Sequence, residues 1–168
     1  MKVFASALLL MTAFTGLSLA QVKLGVLNSQ KAVLDTAEIK KAQTELETKF
    51  KPRQEKIVLL QKELEDLQTK INSGKLTDQN LQEAQLSGQR KQRELTRLTE
   101  DLQADVDRER NEVLQRCGTR MQEVVKVLAE QKGLDVVIDQ TNTVYMKPAL
   151  DLTAEATAAY DKAHPAGK

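Results

Sequence analysis

The chain has 168 residues, of which 29% are charged and only 3% aromatic, and its formal net charge is +1. So few aromatics cannot fill a large globular core, which leaves at most one small compact part joined to long polar helices. The near-balance of charge excludes a general nucleic-acid binder, which carries a clear basic excess.

Met1 to Ala20 reads as a secretory signal peptide. Lys2 supplies the positive start, Val3 to Phe14 an apolar stretch, and Ser18-Leu19-Ala20 a small-x-small site with cleavage after Ala20. The apolar stretch is short for a membrane span and is interrupted by Ser6 and Thr12. The mature chain therefore begins at Gln21 in an exported, periplasmic compartment. Cys117 is the only cysteine, so no intrachain disulfide exists; its apolar surroundings in the sequence read as a small buried hydrophobe.

From Gln21 to Asn28, Val22, Leu24 and Val26 alternate with Lys23 and Gly25, the periodicity of a strand. Ser29 to Thr36 reads as a short helix capped by Ser29. A long helix follows from Glu38, with apolar residues at Ile39, Ala42, Leu46, Ile57, Leu60, Leu64, Leu67 and Ile71. This spacing forms one narrow seam, as in a coiled coil. The step from Leu46 to Ile57 breaks the heptad and holds Pro52, where a kink is expected. Asn72 to Asp78, with Gly74 as helix stop and Thr77 or Asp78 as cap, is the tip of a hairpin. A second helix runs to Lys132, with Leu95, Leu98 and Leu102 on its seam and a loose, polar start around Gly88.

Gly133 ends that helix. Leu134 to Asp139 and Thr143 to Met146 read as two more strands, and Leu152 to Ala163 as a short helix capped by Thr153. The three strands form a small sheet at one base from which the hairpin projects. The fold class is α+β, mostly α: residues 21–37 and 133–168 form the body and 38–132 the hairpin. So small a body leaves strand edges unpaired, which implies that it is shared between subunits.

The strand K-L-G-V-L-N, the helix segment L-E-T-K-F-K-P-R and the run L-D-V-V-I-D-Q-T-N-T-V-Y-M-K-P-A-L-D-L-T resemble the Skp family, the OmpH-like periplasmic chaperones. The resemblance covers Val22 to about Ala163. It implies a homotrimer whose strands close into a small barrel, with Leu24, Val26, Val136, Ile138, Val144 and Tyr145 as trimer-forming positions. Three hairpin tentacles would enclose a cavity for an unfolded outer-membrane protein, held without ATP in transient proximity to the membrane. Pro52 would serve as tentacle hinge. Phe50, Leu60, Leu64, Leu95 and Leu98, with Arg90, Lys91, Arg93 and Arg97, are the candidate client-binding residues. Members of the family are strongly basic; this chain is near neutral, which argues against lipopolysaccharide binding.

No catalytic constellation is present. His164 stands alone near the end, Gly74, Gly88 and Gly118 form no phosphate cradle, and one Cys with one His makes no metal cluster. The sequence is expected to be no enzyme and to need no cofactor or metal. The rival reading is a structural coiled-coil spacer or adaptor of the cell envelope. Against it stands a seam broken by Pro52 and Gly88, where a rigid spacer keeps regular heptads.

Overall fold

The computed structural model describes residues 22–167, so the predicted leader and its cleavage after Ala20 lie outside the described residues. Strand β1 (Leu24–Leu27) leads into helix α1 (Ser29–Leu34) and then into two long helices, α2 (Ala37–Asn72) and α3 (Asp78–Lys132). Strand β2 (Val136–Asp139) follows, then two single 3-10 turns at Gln140–Asn142 and Pro148–Leu150, and helix α4 (Thr153–Ala163).

The caps explain where each helix begins. Asn28, not Ser29, caps α1: its side-chain oxygen accepts from the Lys31 N–H at 2.8 Å. An Asn carbonyl reaches the third helical amide from outside the helix, leaving Ser29 as the first helical residue. Thr36 caps α2 by accepting from the Ile39 N–H at 3.3 Å. At the tip, Gly74 takes φ +66, a left-handed conformation that favours glycine. Gly133 closes α3 in the same way (φ 60, ψ 39), and the Leu134 N–H reaches back to the Ala129 carbonyl at 2.9 Å. Before α4, Asp151 caps the Thr153 N–H at 2.9 Å. Thr153 is the first helical residue instead of the cap, and its buried hydroxyl accepts from the Asn28 N–H at 3.0 Å.

The sheet has two strands, with β1 parallel to β2 in the register Leu24–Val136, Gly25–Val137, Val26–Ile138 and Leu27–Asp139. The whole hairpin is the crossover between them. The third strand predicted over Thr143–Met146 does not form within the chain. A 3-10 turn, fixed by Asp139 Oδ1 accepting from the Thr141 N–H at 2.8 Å, redirects the backbone after β2. The further partner of β1 is the backbone at Asp151–Leu152, whose Leu152 N–H donates to the Val26 carbonyl at 2.8 Å. Residues 143–146 form no ladder with either strand, and the outer edge of β2 stays open among the described residues.

Among the described residues the core lies where β1, α1 and α4 meet the last part of α3. Leu27, Ala32, Cys117, Met121, Val124, Ala156 and Tyr160 are buried together, with Val33, Ile39 and Leu128 packed against them. Helix α3 has 55 residues against 36 in α2. Its surplus length carries Cys117, Met121 and Val124 past the root of the hairpin into this body.

Candidate functional site

Two surfaces bear on function: the body with its incomplete sheet, and the two-helix arm. In the body, Val26 is buried and Leu24 and Ile138 are half-buried, so these three already serve the chain's own packing. Val136 is exposed, and Val144 and Tyr145 stand almost fully in solvent at 106% and 80% of their reference areas. Among the described residues nothing covers these three apolar side chains.

The root of the arm is fastened by one carboxylate. Glu38 Oε2 accepts from the Tyr160 hydroxyl at 2.6 Å and from Arg120 Nη1 at 3.0 Å, while Oε1 accepts from Arg116 Nε at 3.0 Å. Burial pushes the Glu38 carboxyl up, but the hydrogen bonds from Tyr160 and Arg116 and the charges of Arg120 and Arg116 outweigh it and hold the group below its ordinary value. Burial, then the adjacent Cys117 and Glu38, pushes the Tyr160 phenol far above its usual value. Glu38 thereby ties the start of α2 to α3 and α4. The sequence signal was present, since Arg116 and Arg120 are one helical turn apart, but their partner lies far away in sequence.

Along the arm, the seam residues pair as their spacing predicts. Phe50 and Leu60 are buried and Leu64, Leu95 and Leu98 half-buried. These five candidate client-binding residues therefore pack the two helices together before they face anything else. Arg90, Arg93 and Arg97 are exposed, and among the described residues none of them forms an ion pair. Their three- and four-residue spacing sets them on one stripe of α3. Lys91 differs: its ammonium joins Glu63 across the hairpin at 2.5 Å. Pro52 lies inside α2, which continues through it; its missing N–H leaves the Thr48 carbonyl without its helical donor.

Sequence reasoning missed an exposed apolar pair. In the run Ile57-Val58-Leu59-Leu60, the first and last residues fill the seam, whereas Val58 and Leu59 point away from it at 63% and 57% exposure. Four consecutive apolar residues cannot all fit a seam that repeats every three or four, so the run itself was the signal. No group of His, Cys, Asp and Glu that would hold a metal occurs among the described residues.

The family model described as outer membrane protein (OmpH-like) matches residues 23–160, spanning the body strands and the entire hairpin. The chain belongs to the OmpH-like family. Among relatives, it is 26% identical over 138 residues to the Skp-like protein of Pseudomonas aeruginosa, covering 81% of this chain and 82% of that one. It is 28% identical over 115 residues to the chaperone protein Skp of Pectobacterium atrosepticum, covering 66% and 68%. A crystal structure from Caulobacter crescentus, described as an outer membrane chaperone (OmpH-like), superposes with a TM-score of 0.69 at 17% identity, covering 86% of each chain. That likeness concerns the fold: long helices projecting from a small sheet are the OmpH-like architecture, and this OmpH-like chain has it.

Proposed function

We propose that this chain is an ATP-independent periplasmic holdase that encloses unfolded outer-membrane β-barrel proteins between helical arms and prevents their aggregation. The signal peptide directs it across the inner membrane and is removed after Ala20. Three copies associate through the body, residues 21–37 and 133–168, and their strands close into a barrel. Leu24, Val26, Val136, Ile138, Val144 and Tyr145 form that closure, and residues 38–132 of each copy project as an arm that bends at Pro52. An unfolded barrel strand carries apolar side chains and unpaired backbone groups. Several weakly binding arms around one client hold it by effective concentration without any chemical step, so no enzyme activity and no cofactor are needed.

The observation that carries this reading is the exposed pair Val144 and Tyr145, in the segment that follows a sheet of only two strands, in a chain whose family relatives include named chaperones. A body that is complete only in company, bearing an arm of 36- and 55-residue helices, is suited to building a cage. Local bias at Arg90, Arg93 and Arg97 supports attraction of acidic client segments, whereas the overall charge of +1 offers little to lipopolysaccharide.

The test is a holdase assay on the mature chain combined with light scattering. A urea-unfolded outer-membrane β-barrel is diluted with and without the protein, and turbidity and complex mass are followed. One client per trimer with suppressed turbidity is the expected result. A stable oligomer that leaves aggregation unchanged would move the assignment to an envelope spacer.

A further inference from the structure

At the root of the arm the two helices leave part of the seam open. An apolar cavity of about 330 Å3 lies there, walled by Leu34, Ile39, Leu46, Phe50, Val113 and Leu114. It coincides with the break in the heptad between Leu46 and Ile57, and with Ala42, whose methyl group is too short to fill the space. Phe50 is its fixed floor: the ring is buried, and Lys49 Nζ and the Arg53 guanidinium carbon lie 5.6 and 5.7 Å from its centroid. Four exposed polar residues, Gln43, Glu47, Gln54 and Arg110, complete the lining as its rim, and Gln43 Nε2 donates to Glu47 Oε1 at 3.4 Å. The rim thus carries one acid, one base and two groups that both donate and accept.

We propose that this cavity is a side-chain pocket for the client, taking one aromatic or large aliphatic residue of an unfolded β-barrel strand while the rim bonds the strand's backbone. The proposal rests on the holdase reading and gives it a particular contact point. A space near the roughly 300 Å3 lower bound of ligand pockets admits one large side chain. A space this small does not by itself hold two copies together, since stable association needs about 800 Å2 from each partner. The balanced rim complements a backbone of alternating N–H and C=O groups better than it does a charged ligand. Barrel strands supply the rest of the match, since they alternate apolar and polar residues and end in aromatic girdles. Burying one such side chain is a weak contact, which permits release without ATP and is summed over several arms for retention.

The deciding measurement maps methyl chemical shifts of the mature protein, labelled at Ile, Leu and Val. It is titrated with a blocked peptide of about ten residues that alternates apolar and polar positions around one Trp. Shifts concentrated at Ile39, Leu46, Val113 and Leu114 are expected, with affinity falling about tenfold when Ala replaces the Trp. Ala42→Phe fills the cavity and is expected to abolish those shifts and to weaken aggregation suppression while the oligomer persists. Shifts concentrated at Val58 and Leu59, or at Val136 and Val144, would overturn the pocket and leave the holdase reading standing. Contacts between subunits at the pocket methyls of the free protein would give the cavity to a second copy and overturn it too. Absence of aggregation suppression by the unsubstituted protein would remove the holdase reading itself. Should Ala42→Phe fail to fold, the methyl map of the unsubstituted protein decides.

Discussion

The root and the tip of the hairpin share one apolar seam, yet they are held by different means. At the root, Glu38 binds Tyr160, Arg116 and Arg120, and a little further out Lys49 meets Glu109 and Arg53 meets Asp105. Core residues from α1, α3 and α4 back this end. Toward the tip, the last charge contacts between the helices among the described residues are Lys56–Glu94 and Glu63–Lys91. Beyond them Leu67, Ile71 and Leu81 are only half-buried and Leu86 is exposed. Exposed ion pairs add little stability, so burial makes the difference. The arm should therefore behave as a graded spring, opening first at the tip and least toward the body.

The sharpest way to break this comparison is to remove one apolar side chain at each end. Phe50 is 4% exposed, so Phe50→Ala should cost about 3–5 kcal/mol. Ile71→Ala, half-buried at the tip, should cost about 1 kcal/mol, near the centre of ordinary substitutions. Urea melts at one fixed chain concentration compare the two directly. Equal losses would erase the gradient.

Next in size is the clamp at the root. Tyr160→Phe removes the hydroxyl that donates to Glu38 and leaves the ring in place, an expected loss of about 1–3 kcal/mol. The clamp also sets a pH dependence. Glu38 is held below its ordinary value of 4.5, so its contribution is fully present above that pH and is lost as pH falls through the lowered folded value. Asp139 is likewise lowered, by Ser29 and then by the hydroxyl and amide of Thr141, as is Asp151 by Thr153, and both act in the same direction below their ordinary value of 3.8. Thermal melts should therefore fall below about pH 4.5, and Tyr160→Phe should flatten the part of that slope due to Glu38. A variant whose melting profile keeps the wild-type slope would show that the hydroxyl does not set the Glu38 titration.

How much of this was legible depended on whether the cause was local. The hairpin, its tip and the Gly133 stop could be read because spacing and caps act within a few residues, and α3 ends at Lys132 as expected. The seam was legible for the same reason. The strand reading of Thr143–Met146 overreached because β propensity states only that a residue fits a sheet; here the 3-10 turn after β2 redirects the backbone, and Asp151–Leu152 takes the other side of β1. The Glu38 clamp joins residues more than seventy positions apart, which periodicity cannot show. The root cavity was hidden too, since it depends on which part of α3 faces the break in the heptad of α2. The exposed Val58 and Leu59 were readable, because their run is longer than a seam allows.

The smallest expected effect sharpens the tip rather than breaking it. Gly88 lies inside α3, where glycine costs roughly 0.5–1 kcal/mol relative to alanine through backbone entropy. A Cβ built there would meet Leu67 Cδ2 at 3.5 Å, an ordinary contact that adds seam packing without a clash. Gly88→Ala should therefore stabilise the distal arm by up to about 1 kcal/mol. It should slow amide exchange near Gly88 while leaving exchange near Cys117 unchanged. If protection rises equally at both places, the arm opens as one unit and the graded spring is wrong. If it rises only at the tip, the same variant becomes a tool for function. An arm that must spread around clients of different size should hold a large client less well once its loosest segment is stiffened, and a small client equally well.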